Sequence, residues 1–98
     1  MYDKNDKRRL YWLIDQYLSS KIDEDTFGLD FHNTLVNEIY YEGLTDIEIK
    51  VFYDLHNVSE RFTNDEESFK LWAGFVTAKQ LREKVLETKE KLKAQSLI

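Results

Sequence analysis

The sequence predicts an all-α fold: an antiparallel four-helix bundle with a short extra helical segment before the last helix. Three observations predict it. The 98 residues hold no proline and three glycines, which favours long, uninterrupted helices. Apolar residues recur at helical spacing along four segments. Two of those segments open on a complete capping box. Short connections between the first three segments favour side-by-side neighbours, and the length favours a single domain over residues 1–98.

The first helix is expected from near Asp6 to Ser19. Leu10, Leu13, Ile14, Tyr17 and Leu18 share one face by their i, i+3, i+4, i+7, i+8 spacing. Trp12 lies off that stripe, at a bundle edge or in solvent. Ser19, Ser20 and Lys21 form the turn. In the second helix Asp23 is the N-cap, Glu24 and Asp25 favour the positive end of the helix dipole, and Ile22 with Phe27 fits a hydrophobic staple. Phe27, Phe31, Leu35 and Ile39 continue the stripe towards an end near Tyr41, with Gly43 as a left-handed stop. Gly28 is placed to admit a close approach by the first helix.

The third helix opens on Thr45-Asp46-Ile47-Glu48, a capping box, with Leu44 and Ile49 as staple. Ile47, Val51, Leu55, Val58 and Phe62 form its expected seam, widened by Phe52, and it should end near Phe62. Asn64 is the expected cap of a short helical piece that Gly74 breaks. Trp72, Phe75 and Val76 should dock that segment on the bundle. The last helix opens on Thr77-Ala78-Lys79-Gln80, with Val76 and Leu81 as staple. Ala78, Leu81, Val85, Thr88 and Leu92 face inward, Glu87 and Lys91 pair on the outside, and residues 95–98 should fray.

Composition excludes several classes. Charged residues are 34% of the chain, but 14% aromatic argues against disorder. There is no cysteine, so disulfides and thiolate metal sites are excluded. The charged N-terminus lacks a signal-peptide pattern and no apolar run is long enough to span a bilayer, so a cytoplasmic protein without membrane contact is expected. The net charge of −5 is uneven. Residues 23–67 hold thirteen acids against Lys50 and Arg61, whereas both flanking segments are net positive. Such a middle repels nucleic acid, so direct nucleic-acid binding is disfavoured.

No catalytic constellation stands out, and neither an enzyme nor a cofactor is expected. His32 and His56 each follow an acid by two positions, in Asp30-Phe31-His32 and Asp54-Leu55-His56. On a helix, i and i+2 diverge, so neither pair chelates a metal. The Glu-x-x-His spacing of di-metal bundles is absent.

The acids of the third helix and the loop after it, with Tyr53 and Asn57 beside them, remain. They read either as a solvated outer face or as a capture surface for a basic partner. In the second case the face imitates RNA phosphates and plugs a nuclease cleft. The order Ser20-Lys21-Ile22, Phe27, Val51-Phe52-Tyr53-Asp54-Leu55, Glu60-Arg61-Phe62, Asp65 and Phe75-Val76-Thr77-Ala78-Lys79-Gln80-Leu81 resembles the colicin D immunity protein family. The similar order covers roughly residues 10–92, with sparse identities. The resemblance implies a four-helix bundle that binds the C-terminal nuclease domain of a bacterial toxin, a tRNA-cleaving colicin or contact-dependent inhibition effector, and blocks its active site. By position, Glu60 and Asp65 match the family's inhibitory acids. Thr63 stands where the family has another acid, so either the toxin differs or Glu66 and Glu67 supply the charge. Asp54, Glu66 and Glu67 are then steering acids, and Tyr53 and Trp72 anchors, in a one-to-one complex with a chain that is monomeric when free. The alternative is a helical adaptor or regulatory module unrelated to toxins.

Overall fold

Among the described residues, side-chain caps start four of the five α-helices. In the computed structural model, which describes Asp3 and residues 5–95, α1 spans Arg8–Leu18, α2 Glu24–His32, α3 Asp46–Ser59, α4 Glu66–Leu71 and α5 Ala78–Ala94. The Asp23 carboxylate accepts from the Thr26 N–H at 2.8 Å. Thr45 and Glu48 form a reciprocal capping box at α3, and Thr77 and Gln80 form another at α5. Each cap satisfies N–H groups that the helix itself leaves open, and losing one costs about 1 kcal/mol. The cap of α4 is Asp65, not the expected Asn64. Thr63 Oγ1 accepts the Asp65 N–H at 3.0 Å, and Asp65 accepts in turn from the Glu67 N–H at 3.1 Å. The expected fraying lies, from Ser96 on, outside the described residues.

Cross-helix contacts set the topology. Arg82 donates to the Leu18 carbonyl at 2.8 Å and Lys89 pairs with Asp15 at 2.7 Å, so α5 runs antiparallel to α1. Tyr17 packs on Phe27 while Arg9 reaches Thr34 further along, so the second helical segment is antiparallel to α1. Gly28 faces Ser59 and His32 faces His56, so α2 and α3 are antiparallel too. The result is an all-α bundle. Tyr17, Phe27, Phe31, Phe52 and Tyr11 form a chain of ring contacts through its core, with centroids 5.0–6.0 Å apart. Trp12 is half-buried at the edge, with the Arg9 guanidinium 5.7 Å from its ring. Among the described residues, no helix is long and apolar enough to cross a membrane.

Several expectations are corrected. The second helix does not run regularly to Tyr41. It widens into a π-helix over Asn33–Glu38, and the chain is extended at Ile39. A run of i, i+4 apolar positions drifts by about 40° per step on an α-helix. The wider turn, in which the Ile39 N–H donates to the Thr34 carbonyl at 3.0 Å, keeps Leu35 and Ile39 on the core. Gly43 is not left-handed, and it ends a 3-10 turn instead. The Cβ position of Gly28 lies 3.9 Å from the Ser59 carbonyl, so this glycine faces the end of α3 and not α1.

The seam of α3 is also rotated. Ile47 is 42% exposed, whereas Glu48, Val51, Phe52, Leu55, His56 and Ser59 are buried. Val58 and Phe62 are half-buried at its margin, and the helix stops at Ser59. Residues 63–76 form an excursion clipped at its base: Val76 donates to the Arg61 carbonyl and Thr63 donates to the Val76 carbonyl. Only Val76 of that segment joins the core.

The rotation follows from one carboxylate. Glu48 is buried, and it accepts from the Thr45 N–H at 2.9 Å, from the Tyr11 hydroxyl, and from Lys7 Nζ at 3.0 Å. Burial alone would raise its pKa. The hydrogen bonds from Tyr11 and Thr45 and the Lys7 ammonium outweigh that and hold it below the usual carboxylate value of 4.5. Its stabilisation is therefore complete above about pH 4.5 and is lost as pH falls through the lower folded-state value. Glu48→Ala, which leaves buried donors unpaired, should lower the unfolding free energy by about 3 kcal/mol. Glu48→Gln keeps the capping acceptor, should cost less, and should flatten the loss of stability below pH 4.5. Urea titrations at neutral and acid pH check both, and an acid slope in Glu48→Gln equal to wild type would refute the assignment.

Candidate functional site

The C-terminal half of α3 carries a row of polar side chains. Tyr53, His56 and Glu60 share one helix face by their i, i+3, i+7 spacing. Across from them, α2 ends in His32, and the 3-10 turn brings in Tyr41. The imidazoles of His32 and His56 meet edge to edge, with centroids 5.0 Å apart and planes 21° apart. His32 Nδ1 lies 2.7 Å from His56 Nε2. Glu60 Oε1 lies 3.4 Å from His32 Nδ1 and 3.3 Å from His56 Nε2. His56 is buried, whereas His32 and Glu60 reach solvent. Burial lowers the pKa of His56, and neighbouring His32 lowers it further, against the opposing effect of Glu60. A neutral His56 contacts Glu60 without cancelling its charge.

Beside this cluster, a groove of about 310 Å³ runs between α2 and the end of α3. Glu24, Asp25 and Glu60 supply three carboxylates to its lining, and Leu29, which is 62% exposed, supplies an apolar side chain. Thus acids from two separate stretches of sequence meet at one opening.

The seven residues singled out in the sequence do not form one patch. Glu60 lines the groove. Tyr53 is half-buried, with its hydroxyl on that of Tyr41; burial and this contact push its pKa up to about 12. Asp54, expected in solvent, is half-buried about 120° round the helix from Glu60. It borders a separate depression of about 290 Å³ with Lys50 and Lys91. Asp65 is committed to capping α4, also accepting from the Ser68 hydroxyl at 3.2 Å. Glu66 and Glu67 are exposed on the first turn of α4, where Glu67 pairs with Lys70 at 3.2 Å. Glu48, counted among the acids of the third helix, is buried and unavailable.

Sequence reasoning missed His32 and His56, and Glu24 and Asp25, as residues of the site. The i, i+4 relation of His56 to Glu60 was readable, but their meeting with His32 depends on the register between α2 and α3. The class these features define is an all-α helical domain with an acidic groove and a histidine–carboxylate cluster at its mouth. No family model, curated protein or solved structure matches the chain. The resemblance to the colicin D immunity protein family therefore rests on the order of residues quoted above.

Trp72 was expected to dock its segment on the bundle. It is 51% exposed instead, and its indole packs edge-on against Phe75 at 4.9 Å between centroids. A Cβ on Gly74 would lie 2.2 Å from that indole, so glycine is needed there for the ring to lie where it does. Gly74→Ala should expel the indole from its place on Phe75. In a Trp12→Phe background, this should red-shift the Trp72 emission and increase its quenching by iodide; an unchanged spectrum would contradict the close approach.

Proposed function

We propose that this chain is an immunity protein: it binds the C-terminal nuclease domain of a cognate bacterial toxin, a tRNase, one to one in the cytoplasm. The observation that carries the reading is the groove where Glu24, Asp25 and Glu60 converge beside exposed Leu29. A concave acidic surface with an apolar contact suits a basic protein segment, because acids steer the encounter and apolar area holds it. A tRNase cleft is basic because it binds phosphates, so carboxylates can occupy it in their place. The uneven charge of the chain and the family resemblance support the same reading.

In this reading Glu60 pairs with a lysine, arginine or histidine of the toxin. Glu24 and Asp25 replace Asp54 as the acids that share its groove, since Asp54 sits on another side of α3. Glu66 and Glu67 steer from α4, Asp65 holds that turn in shape, and Trp72 offers exposed aromatic area.

A tagged chain should retain, in moderate salt, a large secreted protein with a basic C-terminal domain, and it should block RNA cleavage by that domain. Association should slow steeply as salt rises. Glu60→Lys should weaken the complex by about 3 kcal/mol, read by titration calorimetry. Wild-type protection by Glu60→Lys would refute the site. Salt-insensitive capture of unrelated cytoplasmic proteins would favour a helical adaptor.

A further inference from the structure

We propose that His32 Nδ1, His56 Nε2 and Glu60 Oε1 form a binding site for one divalent first-row transition metal ion of the zinc class. The three atoms face one another at 2.7, 3.3 and 3.4 Å. Two imidazole nitrogens and a carboxylate oxygen bound tetrahedrally to zinc, at about 2.0–2.2 Å each, lie about 3.3 Å apart. Both contacts to Glu60 already have that spacing. To hold the ion, the hydrogen bond between the two nitrogens would open, the nitrogens would part by about 0.6 Å and the rings would pivot so that both lone pairs meet on the metal. His32, half-buried at the end of α2, is the ring with solvent beside it.

The size of the cluster discriminates between cations. An ammonium that donates to three acceptors at about 2.9 Å holds them about 4.7 Å apart, so this triangle is too tight for a lysine. The donor set suits zinc, cobalt, nickel or copper better than magnesium or calcium, which prefer oxygen.

Two further features fit a metal site. The groove with Glu24 and Asp25 opens beside the cluster and gives a hydrated cation an attractive way in and free coordination positions. The π-helix begins at Asn33, immediately after His32, and such interruptions recur at functional sites. One feature sets the strength. His56 Nδ1 is buried without a hydrogen-bond partner. Among the described residues no acceptor orients that ring from behind, so affinity should be roughly 10–100-fold below that of a site with one.

The inference stands apart from the immunity reading, because it is measured on the free chain without a toxin. The chain has two histidines and both belong to the cluster, so every imidazole signal reports on this site. The experiment uses the 98-residue chain made with a histidine-free tag, stripped with chelator and titrated with zinc chloride. Calorimetry should show one ion per chain, and the ring resonances of both histidines should shift with saturation. His32→Ala and Glu60→Gln alter solvent-reaching side chains, and each should bind at least roughly tenfold more weakly while melting cooperatively. An excess of zinc that moves neither histidine would overturn the site. So would equal binding by a folded His32→Ala, since carboxylates alone would then hold the ion.

Discussion

The structure depends on the carboxylate of Glu48. It closes the capping box of α3 and, from the same position, takes the Tyr11 hydroxyl and the Lys7 ammonium from the start of α1. One side chain therefore fixes both where α3 begins and which way it faces. With Glu48 turned inward, each later residue of α3 has a determined orientation. His56, eight residues on, lies about 80° away at the margin of the core face, and Glu60 about 120° away, at the edge of solvent. The histidine–carboxylate row occupies that margin. An acid at the start of the helix thus sets the exposure of an acid at its end.

The ladder of rings from Tyr17 to Tyr11 holds the other side of the site. Phe31 is in this ladder, and His32 is the next residue. Because Phe31 is buried against Phe52, His32 is turned to the flank of α2 that faces α3. The π segment then takes up the drift of the apolar stripe, so that Leu35 and Ile39 stay buried after His32 has been placed. Two helices approach at a set register, and each brings one imidazole.

What could be read in the sequence follows the range of the interactions. Capping boxes join residues three apart, and those at Thr45 and Thr77 form as their spacing predicts. The apolar stripes of α1 and α5 were legible because each helix has one clear inner face. The end of the second helix was not, since the π widening answers to packing of Leu35 and Ile39 and not to any local stop residue. The seam of α3 was misjudged because Glu48 was taken as a surface acid; its partners, Lys7 and Tyr11, lie 41 and 37 residues away. Of the candidate site, Glu60 was identified from residue order alone. Glu24 and Asp25 had been assigned only to the dipole of α2, yet antiparallel packing brings them to the same groove.

Glu60 has two roles in these readings, and its geometry lets them coexist. Oε1 is the oxygen that faces both imidazoles. Oε2 has no partner among the described residues. A lysine or arginine of a partner protein is too large for the triangle, but it can take Oε2 from the groove side, with Glu24 and Asp25 nearby. A bound ion would hold the carboxylate in one orientation and reduce the rotamer entropy lost on binding. It would also withdraw negative charge from the carboxylate. The first effect strengthens capture of a basic partner, and the second weakens it. A long-range charge effect is screened by salt, whereas orientation is not. At low salt, then, metal should weaken capture through lost charge, and at high salt preorientation should prevail.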